Sequence, residues 1–149
     1  MAHVRPILLV EDNLKDIELT LAALKQNHLA NEVVVTRHGG EALDYLYRRG
    51  QYRERAPGYP IVVFLDLKMP KVDGLEVLRV MKSDERLKVV PVVMLTSSRQ
   101  EADLVSSYEL GVNAYVVKPV GFQQFTDAIK QLGMFWAILN ESPREGATK

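Results

Sequence analysis

The chain of 149 residues contains no cysteine, which excludes disulfides, cysteine-ligated zinc and thiol catalysis. It has no surplus of charge of either sign, with Lys plus Arg at 19 and Asp plus Glu at 19. Contact with a nucleic-acid backbone draws on a basic excess, so a nucleic-acid role is disfavoured. Long apolar runs are also missing. The longest lie at 61–65, 134–139 and 89–95, the last interrupted by Pro91, whereas a membrane span needs about 18 apolar residues in a row. The apolar start at 7–10 gives way at once to Glu11 and Asp12, too soon for the core of a secretory signal. These absences predict a cytoplasmic protein without a membrane part. What is present is ordinary for a globular domain: 47% apolar and 26% charged residues, enough apolar surface to offset the entropy of ordering a chain. At roughly 150 residues per domain the length predicts one. Residues 1–140 are assigned to it, and the polar residues 141–149 are expected to form a disordered tail.

Five short β-branched runs, at 7–10, 33–35, 61–65, 92–95 and 114–117, are continuous and do not alternate with polar residues. Strands covered on both faces read this way. Between them the apolar residues take helical spacing: Ile17, Leu21 and Leu24; Leu43, Leu46 and Tyr47; Leu75, Leu78 and Met81; Leu104 and Tyr108, ending at Gly111. A last stripe holds Phe122, Phe125, Ile129, Leu132, Trp136 and Leu139. Strand and helix thus alternate, which predicts an α/β fold with a parallel sheet and helices on both faces. Five units suggest the flavodoxin-like (βα)5 arrangement, strand order 2-1-3-4-5, whose ligands sit beyond the carboxyl ends of the strands where the first and third are neighbours.

The residues at those ends carry chemistry. Glu11 and Asp12 follow the first run, Asp66 the third, Thr96, Ser97 and Ser98 the fourth, and Lys118 and Pro119 the fifth. Singly, each has a plain structural explanation. An Asp or Asn after a strand is commonly a helix cap, a part open to Asp12 or Asn13, and Ser98 is suited to cap the fourth helix. A single lysine is most often a surface group. Together they are harder to dismiss, because clustered carboxylates repel unless a cation or proton intervenes. Oxygen donors suit Mg²⁺, held by one or two carboxylates and substrate phosphate oxygens. A carboxylate can also attack phosphorus to give an aspartyl phosphate. Lysine and threonine then contact the new phosphoryl group.

The motifs Ile7-Leu-Leu-Val-Glu11-Asp12-Asn13, Val63-Phe-Leu-Asp66-Leu-Lys-Met-Pro70-Lys-Val-Asp-Gly74, Pro91-Val-Val-Met-Leu-Thr96-Ser97-Ser98 and Gly111-Val-Asn-Ala-Tyr115-Val-Val-Lys118-Pro119 stand in order along the chain. In them the sequence resembles the receiver domain of two-component response regulators, from Ile7 to Leu139. The resemblance implies that Asp66 accepts a phosphoryl group from a sensor histidine kinase. It implies Mg²⁺ held by Glu11, Asp12, Asp66 and the backbone carbonyl of Lys68. Thr96 and Lys118 would contact the phosphoryl oxygens, and Thr96 and Tyr115 would form the switch. A cis peptide would join Lys118 to Pro119, and Gly74 would end the loop after Asp66. Such a domain assists its own phosphorylation and turns over no external substrate.

More narrowly, the sequence resembles the small receivers that serve bacterial phytochrome-type kinases, through the Arg/Tyr-rich stretch 48–60, the segments around Ser107-Tyr108 and Asn113-Ala-Tyr115, and Phe135-Trp136. Gly121 departs from the acidic or bulkier residue often found there. The stretch 48–60 is expected to be a solvated loop, with a docking surface as the sharper alternative. Two other functions compete. A Mg-dependent aspartyl-phosphate phosphatase of the haloacid dehalogenase type needs a second Asp two residues after the first, where Lys68 stands. A flavodoxin-like cofactor binder needs a phosphate-cradling loop after the first strand, where Glu11 and Asp12 stand. About ten residues follow the fifth helix, too few for an output domain, so the readout is expected to be a protein contact. Residues 134–139 are apolar all round, which predicts a homodimer through the fourth helix, the fifth strand and the fifth helix. A collar of Tyr52 or Tyr59 over that excess is the rival expectation.

Overall fold

The β-branched runs become strands because both faces of the sheet are covered, leaving no solvated side for polar residues. In the computed structural model, which describes residues 5–26, 31–69, 72–97 and 109–132, these are β1 (Ile7–Val10), β2 (Val33–Thr36), β3 (Val62–Asp66), β4 (Val92–Thr96) and β5 (Ala114–Val117). They pair in parallel in the order β2-β1-β3-β4-β5, as the alternation predicts. Among the described residues three helices, α1 (Leu14–Gln26), α2 (Gly39–Tyr47) and α3 (Gly74–Ser83), precede a C-terminal helix, Phe122–Gln131.

Period-two alternation still sorts the buried strand residues, into two cores. Leu8, Val10, Val63, Leu65, Val92 and Met94 meet α2 and α3 through Leu46, Leu78 and Met81. Ile7, Leu9, Val62, Phe64, Val93 and Leu95 meet Ile17 and Leu24 of α1 and Phe125 and Ile129 of the C-terminal helix. Phe125 stacks on Phe64 with ring centroids 5.5 Å apart.

The structure corrects several expectations. Asp66 and Thr96 are the last residues of their strands and do not follow them, because the parallel ladder runs one step further: Leu67 N–H donates to Leu95 O at 2.9 Å and Lys118 N–H to Thr96 O at 2.7 Å. Tyr47 is exposed and Tyr45 is buried in its place, since Tyr47 turns outward to donate its hydroxyl to Asp84 at 2.8 Å. Phe122 also stands exposed, at the start of its helix.

Most of the stretch 48–60 is exposed, as a solvated loop would be, but it is internally bonded. A 3₁₀ turn, Gly50–Tyr52, opens it, and Arg55 organises it. The Arg55 guanidinium donates to the carbonyls of Tyr45, Ala56 and Gly58 at 2.8, 2.6 and 3.1 Å and lies 4.1 Å over the Tyr45 ring. Tyr52 and Tyr59 pack on the α2/α3 core. That is the sheet face opposite the helix Phe122–Gln131, while residues 134–139, which the tyrosine collar was expected to cover, lie outside the described residues. The cap of α1 falls to Asn13, whose side chain accepts from Asp16 N–H at 3.0 Å. The Lys118–Pro119 peptide is cis. Gly121 caps the C-terminal helix in an extended conformation without a side-chain bond. The fourth helix, the cap assigned to Ser98, the apolar segment 134–139 and the tail 141–149 lie outside the described residues.

Candidate functional site

The pairing of β1 with β3 sets Val10 against Leu65, so the next residue on each, Glu11 and Asp66, meet at the carboxyl edge. Glu11 is fully buried and Asp66 nearly so. With the half-buried Asp12 they offer oxygens that all lie within 4.8 Å of one another. They open into a cleft of about 220 Å³ that Asp16, Lys68, Ser97 and Lys118 also line.

The Lys118 ammonium meets this negative charge directly. Lys118 Nζ lies 3.2 and 3.3 Å from the two Glu11 oxygens, 2.9 Å from Asp16 Oδ2 and 3.1 Å from Asp66 Oδ1. Burial, and then the charge of Asp66, push the Glu11 carboxyl from 4.5 up to about 7, although Lys118 opposes both. Burial likewise raises Asp66 against the pull of Lys118. For Lys118, burial disfavours the charge, but its bond to Asp16 and the charges of Asp66 and Glu11 prevail and its pKa rises. Four carboxylates outnumber the two lysines that line the cleft, and the clustered carboxylates offer hard oxygens, so the residues fit a small divalent cation.

Of the other expected residues, Thr96 is 1% exposed. Its Oγ1 is buried without a hydrogen-bond partner among the described residues, a costly arrangement for a hydroxyl. Tyr115 sits half-buried on β5 and Lys68 is exposed at the rim. Gly74 N–H donates to Leu67 O at 3.0 Å. A Cβ at Gly74 would overlap the carbonyl oxygen of Asp66 and the Leu67 backbone, so the start of α3 closes directly beneath Asp66.

Two residues escaped the sequence reading. Asp16 makes the shortest contact to Lys118. The available signal was its position in the first turn of α1, four residues after Asp12, on a helix that begins at the same edge. Arg37 donates through Nη2 to the Asp12 carbonyl at 3.0 Å. That contact joins residues 25 apart, and nothing in the local sequence announces it.

The sequence profile of the response regulator receiver domain matches residues 7–130. The chain belongs to this family. It is 39% identical over 130 residues to response regulator Rcp1 of Synechocystis sp., covering 87% of both chains. A solved Mn²⁺-bound form of Rcp1 superposes with a TM-score of 0.73 at 36% identity, over 93% of this chain and 99% of that one. The bacteriophytochrome response regulator AtBRR is 66% identical, with a TM-score of 0.86 over 94% of this chain and 100% of that one. The phosphorylated cyanobacterial phytochrome response regulator RcpA is 42% identical, with a TM-score of 0.74 over 90% of this chain and 94% of that one. This receiver domain is therefore related to phytochrome response regulators. The phosphatase and the flavodoxin-like cofactor binder are not favoured. Among the described residues no helix is long and apolar enough to cross a membrane.

Proposed function

We propose that Asp66 accepts a phosphoryl group from the phosphohistidine of a sensor kinase, and that the resulting acyl phosphate switches protein contacts. The observation that carries this reading is the nearly buried Asp66 carboxylate with Lys118 Nζ at 3.1 Å in a cleft where carboxylates outnumber lysines. An Asp66 oxygen attacks phosphorus in line, the phosphorus–nitrogen bond breaks, and its electron pair leaves on the imidazole. Glu11, Asp12, Asp66 and the Lys68 carbonyl would hold Mg²⁺, which supplies charge neutralisation for the transferring oxygens. Lys118 donates to a phosphoryl oxygen. Thr96 turns its unpartnered hydroxyl to another, and Tyr115 on the next strand follows it inward. Because these contacts exist only in the phosphorylated state, they shift an equilibrium between two conformers. The domain takes part in its own phosphorylation and has no external substrate.

The donor is read as a phytochrome-type kinase in the cytoplasm, supported by the relatedness to AtBRR and RcpA. A homodimer through the fourth helix, β5 and the C-terminal helix is read with it, supported by the exposed Phe122 ring on that helix. The fourth helix and residues 134–139 lie outside the described residues, and light scattering tests the dimer.

Intact-mass spectrometry after exposure to phosphoramidate and Mg²⁺ tests the phosphoacceptor. The wild type should gain one phosphoryl group, labile to hydroxylamine, and Asp66→Asn should gain none. An equally labelled, hydroxylamine-labile Asp66→Asn protein would overturn the assignment.

A further inference from the structure

The ammonium of Lys118 has three hydrogens and faces carboxylates of three residues. Two of these, Glu11 and Asp66, belong to the trio whose oxygens gather within 4.8 Å. They have a second duty, because a divalent cation would draw on the same carboxylates, and Asp66 would also carry the phosphoryl group. Asp16 stands outside that trio, yet makes the shortest contact, 2.9 Å from its Oδ2 to Lys118 Nζ. Its place is fixed from below, since its own N–H donates to the capping Asn13 side chain at 3.0 Å. Its carboxylate is 27% exposed, whereas Glu11 is fully buried. Lysine needs such an anchor, because its ammonium ends a flexible four-carbon stem that does not by itself hold one position.

We propose that Asp16 is a positioning residue that tethers Lys118 over Asp66, keeping the ammonium in reach of the phosphoryl oxygens when Glu11 and Asp66 turn to a cation. One donor stays on Asp16 and the others are free for the transferred group. Preorganised charge of this kind needs no rearrangement during the transfer, and loss of a residue that orients a charged site typically costs about 10- to 100-fold. The inference rests on the phosphoacceptor reading of Asp66.

The test is a double-mutant cycle of Asp16→Ala and Lys118→Ala. It is read by the rate of phosphorylation with phosphoramidate at saturating Mg²⁺ and, separately, by Mg²⁺ affinity from a melting-temperature titration. Asp16→Ala should slow labelling at least about tenfold with Mg²⁺ affinity little changed, and should have no further effect once Lys118 is alanine. Asp16→Asn, which keeps the size and the helix cap geometry, serves if the alanine variant does not fold by circular dichroism. A carboxylate that merely steadies the first turn of α1 would lower the melting temperature equally in both backgrounds and leave the rate alone. Unchanged labelling in the Asp16 variants, or a loss equally large without Lys118, overturns the tether. A wild type that takes up no phosphoryl group while folded and binding Mg²⁺ overturns the phosphoacceptor reading itself, and the tether falls with it.

Discussion

Tyr52 donates its hydroxyl to Glu41 Oε2 at 2.7 Å. The other oxygen of Glu41 accepts from Arg37 N–H at 2.8 Å. One carboxylate thus joins the inserted stretch 48–60 to the entry of α2, where the His38 side chain accepts from Glu41 N–H at 3.1 Å. Tyr52→Phe keeps the ring, which packs edge-on to Tyr45 at 5.2 Å, and removes the bond alone. It should cost about 1–2 kcal/mol of stability, read as a lower midpoint in urea with an unchanged slope.

Arg55→Lys should be more damaging than a charge-conserving change suggests. A lysine cannot reach three carbonyls in one plane or lie flat on Tyr45. The loss should be about 2–3 kcal/mol. Proteolysis should nick the stretch 48–60 first, with the cleavage sites identified by mass spectrometry.

Gly74→Ala places a methyl group against the Asp66 carbonyl and the Leu67 backbone. Backbone cannot yield as a side-chain end does, so the expected cost is about 1–3 kcal/mol. Phosphorylation with phosphoramidate should fall as well, because the displaced backbone carries Asp66.

The raised carboxyls set a pH dependence. Between its ordinary 4.5 and about 7, Glu11 keeps a proton in the folded chain that the unfolded chain has lost. Within that window unfolding releases this proton, whereas below it both states are protonated and none is exchanged. This contribution to stability is full below 4.5 and lost as pH rises through about 7. Asp66 is shifted in the same direction and adds to the slope, while Lys118 remains charged throughout. In chelator, stability from urea titrations should therefore fall between pH 4.5 and 7, and Glu11→Gln should flatten the fall. A wild-type curve that rises across this window would contradict the geometry.

Mg²⁺ should stabilise the native state, by about 1.4 kcal/mol at ten times its Kd. Asp12→Asn removes one of the three clustered carboxylates and should shift the titration to higher Mg²⁺. A melting temperature that ignores millimolar Mg²⁺ would count against the metal site.

The sheet, its order and the residues at its edge were legible because strand runs and strand ends are local features, and parallel topology then brings the ends together. Asp66, Glu11 and Lys118 meet as the order 2-1-3-4-5 requires. What was illegible depends on direction within an element or on distant partners. Tyr47 and Phe122 fit a helical stripe by spacing yet face solvent, because each lies at an end of its helix where the core no longer reaches. The stretch 48–60 read as polar, and only the fold reveals that one arginine gathers its carbonyls. Asp16 was passed over because a carboxylate in a first helical turn is common, and its partner stands 102 residues away.

Asp66 ends a central strand and does not sit on a loop, which bears on how the site opens. The amide after it, Leu67 N–H, is bonded to Leu95 O at 2.9 Å between two fully buried strands. Freeing that amide means parting β3 from β4, and with them both cores. Its exchange with deuterated solvent should therefore follow global unfolding, while amides in the inserted stretch exchange through smaller fluctuations. The floor beneath Asp66 should be as durable as the whole molecule, and the rearrangement proposed on phosphorylation then falls to the side chains and loops around it.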